Sequence, residues 1–154
     1  MPQLMLKLIR RRAPILLLLV MTLGALAEDK TVDQLKAEAE RPGADQAKLS
    51  AEVAERLVPV ADKLFTDGQS VKGNATVQEI LQYGKRAREL AISTRKKMKD
   101  TEIHLRRCRR ALENLRRTLA AEDRPAVEAV EKQLEQFGED ILEAMFAPPK
   151  KDQK

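Results

Sequence analysis

His104 and Cys108 have the residue types and the spacing that could bind a metal ion. They are four residues apart, which places them on one face of a helix, where an imidazole and a thiolate can bind zinc together. The chain has one His and one Cys, so carboxylates or a second chain would have to complete such a site. The alternative is a cysteine packed as a small apolar residue beside a histidine at the solvent edge. We favour this alternative and expect no metal and no cofactor.

Other catalytic patterns are missing from the sequence. One His and one Cys cannot supply a Ser–His–Asp or a paired Cys–His arrangement, and no glycine-rich loop is present that could bind phosphate. We therefore expect a protein that is not an enzyme and has no small-molecule substrate. A single cysteine also cannot form an internal disulfide, so an intermolecular disulfide at Cys108 in a parallel dimer stays open as an alternative.

The first 27 residues have the pattern of a secretory signal peptide. A basic start with lysine or arginine at positions 7 and 10–12 precedes an apolar run at 15–26, and Ala25-Leu26-Ala27 is a small-x-small cleavage motif. The apolar run has about 12 residues, whereas a membrane-spanning helix needs roughly 20. We expect cleavage after Ala27 and export to the periplasm or the extracellular space. Membrane contact is then expected only through the signal peptide before cleavage.

The signal segment also accounts for most of the positive charge. It holds four of the 29 basic residues and none of the 24 acidic ones, which leaves the remaining chain at a net +1. The near-zero charge and the low aromatic content, three Phe, one Tyr and no Trp, argue against a nucleic-acid partner. We divide the chain into the signal peptide 1–27, a helical domain 28–147 and a disordered tail 148–154.

A seven-residue apolar repeat between Asn74 and Leu119 predicts one long helix, which we call the spine. No charged residue falls on the repeat positions, which we call the seam, and such a separation is typical of a coiled coil. At 1.5 Å per residue the spine would be roughly 70 Å long. The seam positions are Val77, Ile80, Gly84, Ala87, Ala91, Thr94, Met98, Thr101, Leu105, Cys108, Leu112, Leu115 and Leu119.

Shorter helices are predicted on both sides of the spine, over 28–41, 44–67 and 126–146. Thr31 followed by Gln34 is a capping box for the first of them. Pro59 lies inside the second, where we expect a kink or a break. Gly68 is the expected left-handed cap after the second helix, and Asn74 the expected N-cap of the spine. Asn74-Ala75-Thr76 is also a glycosylation sequon, but we favour the cap.

The segment Ala61-x-x-Leu64-Phe65-x-x-Gly68 resembles the end of the first helix in a tetratricopeptide-type hairpin. The likeness covers roughly 61–91 and comprises one unit, and the following helix overruns the repeat length. The arrangement also resembles that of uncharacterised exported bacterial helical proteins. This resemblance implies a helical fold and export, and it implies no activity.

Short turns force consecutive helices to pack antiparallel. The second helix should therefore cover the start of the spine and the last helix its far end, which makes an all-α, elongated bundle. Residues 85–117 carry a net charge of +9 and residues 122–143 a net charge of −6, so we expect Arg116 to pair with Glu131. The span 94–101, with its polar seam, could be solvated, covered by the first helix or a second copy, or bound to an anionic partner.

We expect an exported, non-enzymatic scaffold or adaptor that acts through a protein partner or as a homodimer. The alternative is an anion-binding module for lipid headgroups, glycans or nucleic acid. Salt should separate the two, because phosphate binding weakens steeply with salt. The candidate contact residues are the connection cluster, Arg95, Lys96, Lys97 and Lys99, and the arginine cluster, Arg106, Arg107, Arg109 and Arg110.

Overall fold

The computed structural model describes residues 29–148. The predicted signal peptide, its cleavage after Ala27 and nearly all of the predicted tail lie outside these residues. The chain divides into two compact units, Met1–Lys30 and Thr31–Lys154. Within the described residues, the second unit is entirely α-helical, which confirms the predicted class.

The second unit contains five helices with short connections. They are α1 (Val32–Glu40), α2 (Gln46–Thr66), α3 (Ser70–Thr94), α4 (Met98–Thr118) and α5 (Arg124–Phe146).

Two predicted helix ends are confirmed. The Thr31 hydroxyl accepts a hydrogen bond from the Gln34 backbone, and the Gln34 side chain accepts one from the Thr31 backbone, so α1 begins with a complete capping box. Gly68 has φ +74°, the left-handed conformation that glycine adopts without steric penalty. Of the kink or break predicted at Pro59, the break does not occur, because α2 continues through this residue as one helix.

The predicted N-cap at Asn74 is wrong. Helix α3 begins four residues earlier, at Ser70, and Asn74 lies inside it. The Asn74 side chain donates to one oxygen of Asp123 (3.1 Å), and the Ser70 hydroxyl donates to the other (3.0 Å). Asp123 lies in the α4–α5 turn and is only 8% exposed. Its carboxylate accepts the hydrogen bonds of both Ser70 and Asn74.

The predicted spine is also wrong, because the chain breaks into α3 and α4 at residues 95–97. The seam itself is confirmed: twelve of its thirteen residues are buried, and Thr94 is the exception. The seven-residue repeat does not mark this break. Thr94 and Met98, on either side of it, are four residues apart, as they would be in a continuous repeat. The apolar pattern is therefore the same for one straight helix as for two helices that fold together.

Helices α2 to α5 form a four-helix bundle instead of an elongated rod. Asp45, at the start of α2, pairs with Lys97, at the start of α4, and Glu55, further along α2, pairs with His104, further along α4. These two helices therefore run parallel. The pairs Arg88–Asp140 and Arg95–Ala144 show the same for α3 and α5. The hairpins α2–α3 and α4–α5 pack against each other and enclose one core, with α3 and α4 on opposite corners.

Small residues allow the helices to approach closely. A Cβ atom on Gly84 of α3 would lie 2.5 Å from Cδ2 of Leu134 on α5. Helix α1 packs on α2 through Leu35 and Ala39, which are at most 2% exposed. The Lys36 ammonium also lies 2.6 Å from the Glu79 carboxylate of α3, and this hydrogen bond raises the pKa of Lys36. Among the described residues, the core extends from Leu35 to Ile141, so the second unit contains a core of its own.

Candidate functional site

Three residues without glycine or proline, 95–97, connect α3 to α4. Arg95 and Lys97 have φ of 54° and 55°, a left-handed conformation that costs an L-residue roughly 1–2 kcal/mol. The Thr101 hydroxyl donates to the Lys97 carbonyl (2.7 Å), and Met98 is 8% exposed in the core. Packing of the bundle on both sides therefore holds a turn that its own residues disfavour.

The connection cluster divides into paired and unpaired cations. The Arg95 guanidinium donates to the carbonyls of Ala144 (2.9 Å) and Ala147 (3.2 Å) at the end of α5. The Lys97 ammonium lies 3.3 Å from the Asp45 carboxylate. Lys96 and Lys99 are exposed, and no carboxylate among residues 29–148 forms an ion pair with either.

The arginine cluster divides in the same way. Arg106 lies 3.0 Å from the Glu102 carboxylate, and Arg109 lies 3.9 Å from that of Glu113. Arg107 and Arg110 are exposed on α4 and have no acidic partner within the described part of the chain. Because they are three residues apart, their guanidinium groups are neighbours on the helix surface.

A groove of about 480 Å³ lies between α2 and α4 next to these two arginines. Its lining includes apolar Val58, Pro59, Ala111 and Leu115 and the polar residues Glu55, Asp62, Asn114 and Thr118. Arg107 and Arg110 come one helical turn before Ala111 and Asn114 of the lining, so the arginine pair lies on the same side of α4 as these two residues. Pro59 has no N–H, which leaves the Glu55 carbonyl without its usual helical donor on this side of α2.

The groove continues toward the α4–α5 turn. A second depression of about 230 Å³ shares Asp62 and Thr118 with it and adds the carboxylates of Glu122 and Asp123. Lysine and arginine are absent from the lining of both depressions. The surface between α2 and α4 is therefore acidic and partly apolar, with the arginine pair at its edge.

His104 and Cys108 lie in different environments. The His104 ring nitrogen Nδ1 lies 2.6 Å from a carboxylate oxygen of Glu55, which ties α4 to α2. Cys108 is completely buried, and burial raises the pKa of its thiol, with a further contribution from the Glu55 carboxylate. A thiol in this state is unreactive. An intermolecular disulfide at Cys108 would require the bundle to open.

Charge pairs join α5 to its two neighbours. Arg116 and Glu131 meet as the sequence predicts, with Nε 2.7 Å from a carboxylate oxygen, and Glu131 is 7% exposed. Arg88 of α3 pairs with Asp140. The hydrogen bond from Gln136, together with the one from Arg88, holds the pKa of Asp140 below its ordinary value.

Two features of the surface could not be predicted from the seven-residue repeat. The groove depends on α2 and α4 being neighbours, which the spine prediction excluded. Leu142 and Phe146, near the end of the last helix, are 39% and 84% exposed. Both lie near the end of α5, beside the connection where α3 ends and α4 begins.

Comparison with protein-family models, with curated proteins and with solved structures finds no match to this chain. Within residues 29–148, no helix is both long and apolar enough to cross a membrane. Across the same residues, no three potential metal-binding side chains of His, Cys, Asp or Glu lie together.

Proposed function

We propose that this protein is an exported, non-enzymatic helical adaptor that binds a protein partner along the groove between α2 and α4. The partner segment would place apolar side chains over Ala111 and Leu115 and a carboxylate against Arg107 and Arg110. The observation that carries the proposal is this exposed arginine pair, which lacks acidic partners in the described residues and lies beside an open groove.

The burial of the seam changes the choice of partner. An uncovered seam would expose apolar surface, and a homodimer could cover it. In the bundle the seam is covered by α2 and α5, so that argument no longer holds. A different protein surface is then the better partner, and light scattering should give the mass of a monomer at low and high salt, with and without reductant.

Arginine is the suitable residue for such a contact. Its planar guanidinium donates two parallel hydrogen bonds to a carboxylate, and these charge-assisted bonds are stronger than neutral ones. In the free protein the two neighbouring cations repel each other, as like charges do at this spacing. A bridging carboxylate would relieve this repulsion and gain hydrogen bonds at the same time.

Binding of fluorescent poly-L-glutamate, measured by anisotropy at low salt, tests the arginine pair. The double variant Arg107→Glu/Arg110→Glu should bind at least tenfold more weakly, because two charge-assisted contacts become repulsive. The matched control is Lys72→Glu/Lys85→Glu on α3, which changes charge equally at two exposed positions. Equal affinity of the two double variants would refute the proposal.

The anion-binding module is the second candidate, and the connection cluster favours it because Lys96 and Lys99 are also unpaired. Polyphosphate separates the two candidates in the same assay. Tighter binding of polyphosphate than of polyglutamate, with a steep loss on adding salt, would favour a phosphate-bearing ligand.

A further inference from the structure

The end of the bundle formed by the connection and the last turn of α5 exposes two large apolar side chains. Phe146 is 84% exposed, and Leu142, one turn earlier on the same face of α5, is 39% exposed. An exposed phenylalanine next to a second apolar side chain is a feature that commonly marks an interaction surface. Both belong to α5, but the bundle leaves them in solvent at the end where α3 ends and α4 begins.

Cations of the connection lie at the same end of the bundle as this apolar pair. The hydrogen bonds from Arg95 to Ala144 and Ala147 place the connection directly against the end of α5. Lys96 and Lys99, next to Arg95 in the chain, are exposed and make no ion pair with any carboxylate in residues 29–148. Apolar and cationic side chains therefore share one end of the bundle.

Arg95 has a second electrostatic effect here. The last carbonyls of a helix have no partner within the helix and carry about half a negative charge. At the end of α5, the guanidinium of Arg95 donates to two carbonyls of this region. Arg95 consequently reduces the negative potential that an uncapped helix terminus would present to an anionic surface.

We propose that this end of the bundle docks on the surface of an anionic lipid bilayer. Phe146 and Leu142 would enter the boundary between headgroups and acyl chains, while Lys96 and Lys99 would remain among the anionic headgroups. An interface that is apolar inside and negatively charged outside is complementary to exposed apolar side chains that share one end of the bundle with unpaired lysines. Lysine suits such a diffuse surface because its ammonium acts as a point charge that needs no fixed geometry.

This contact is separate from the proposed adaptor groove, since it uses other residues at the end of α5. It would be peripheral and reversible, because it relies on two apolar side chains and a few cations. The sequence alone led us to expect membrane contact only through the signal peptide. The bilayer contact adds a second one, made by the folded bundle.

Co-sedimentation with lipid vesicles tests the proposal. The chain 28–154, which contains every core residue of the described part, would be mixed with vesicles of phosphatidylcholine alone or of equal parts phosphatidylcholine and phosphatidylglycerol. We expect binding to the anionic vesicles, weakened by salt. Phe146→Ala should reduce the affinity about tenfold, from lost apolar burial. Lys96→Gln/Lys99→Gln should reduce it about twentyfold, from two lost charges near the surface.

Val71 supplies the matched control. It is 85% exposed, but it lies at the start of α3, at the opposite end of the bundle. Val71→Ala should bind the anionic vesicles as the unmodified protein does. The chain contains no tryptophan, so Phe146→Trp and Val71→Trp each provide a single fluorophore. Only the Phe146→Trp emission should shift to the blue when anionic vesicles are added.

Several results would overturn the proposal. These are no binding to anionic vesicles at low salt, equal binding to both vesicle types, or the same loss from Val71→Ala as from Phe146→Ala. If the Lys96→Gln/Lys99→Gln variant loses polyglutamate binding while vesicles are never bound, this end would be assigned to an acidic protein instead. The adaptor proposal is judged separately, because its test uses Arg107, Arg110 and polyglutamate without vesicles.

Discussion

Replacing Gly84 with alanine should destabilise the bundle, because α3 and α5 are closest there. The added Cβ would lie 2.5 Å from Cδ2 of Leu134 and 3.6 Å from Cδ2 of Leu105. Carbon atoms pack best at about 3.5–4.0 Å, so Leu134 would have to move by about 1 Å. Leu134 is 1% exposed and has little room to do so.

The expected magnitude combines two opposing effects. Overpacking a core costs about 1–3 kcal/mol. Alanine is better than glycine in a helix by about 0.5–1 kcal/mol. The net change at Gly84 should be a loss of about 1–2 kcal/mol in the free energy of unfolding. Gly138, inside α5, has no atom within 4 Å of the position that an alanine methyl group would take, so Gly138→Ala should gain about 0.5–1 kcal/mol.

Urea unfolding followed by far-ultraviolet circular dichroism measures both variants against the unmodified chain. The two alanine substitutions should change stability in opposite directions, with a difference of about 2 kcal/mol. The double variant Gly84→Ala/Leu134→Ala should be more stable than the sum of the two single changes predicts, because the new methyl group fills part of the cavity. A Gly84→Ala protein as stable as Gly138→Ala would refute the close α3–α5 packing.

Three further predictions follow from the charge pairs and the buried thiol. Glu131→Lys should lower stability by about 3 kcal/mol, because it places a second cation against Arg116 in a largely buried position. Asp140→Asn should lower the free energy of unfolding at neutral pH by about 1 kcal/mol. In acid, the free energy of unfolding of this variant should fall less steeply with decreasing pH than that of the unmodified protein. The reason is that the folded protein holds the pKa of Asp140 below its ordinary 3.8. The stabilisation by the ionised Asp140 is therefore present above pH 3.8 and is lost as the pH falls below 3.8. Cys108 should react with a thiol reagent only after urea unfolds the bundle, because its sulfur is fully buried.

The first of these has a matched control within the chain, and each has a result that would contradict it. Glu143→Lys changes the same charge at an exposed position of α5, and equal losses for Glu131→Lys and Glu143→Lys would contradict the pairing. For Asp140, unfolding is measured from pH 7 down to acid, and an unchanged slope in the variant would contradict its role. Rapid labelling of native Cys108, or a disulfide-linked dimer on a non-reducing gel, would show that the thiol is accessible.

The helical class and most of the core could be predicted because they depend on local spacing. The seven-residue repeat identifies residues that share a helix face, and twelve of the thirteen seam residues are buried. The Arg116–Glu131 pair was predictable because a short turn and opposite charges specify the alignment of two consecutive helices. The capping box at Thr31 and the left-handed Gly68 follow from local backbone chemistry in the same way.

The candidate surfaces depend on contacts between residues far apart in the chain. Nothing in the residues 95–97 signals a turn, since Arg95 and Lys97 adopt left-handed conformations that only the surrounding packing stabilises. That turn makes α2 and α4 neighbours, which creates the groove beside Arg107 and Arg110. It also brings the connection against the end of α5.

The sequence by itself therefore determined most of the buried residues and that they lie on helices, because periodic spacing decides which side chains share a face. Only the tertiary structure decided that the seam folds back on itself, which cations stay unpaired and where Phe146 is exposed. These outcomes depend on the balance between the unfavourable turn at 95–97 and the burial of apolar surface between two hairpins. No local sequence pattern predicts that balance, since the repeat is the same in one straight helix and in two helices that pack together.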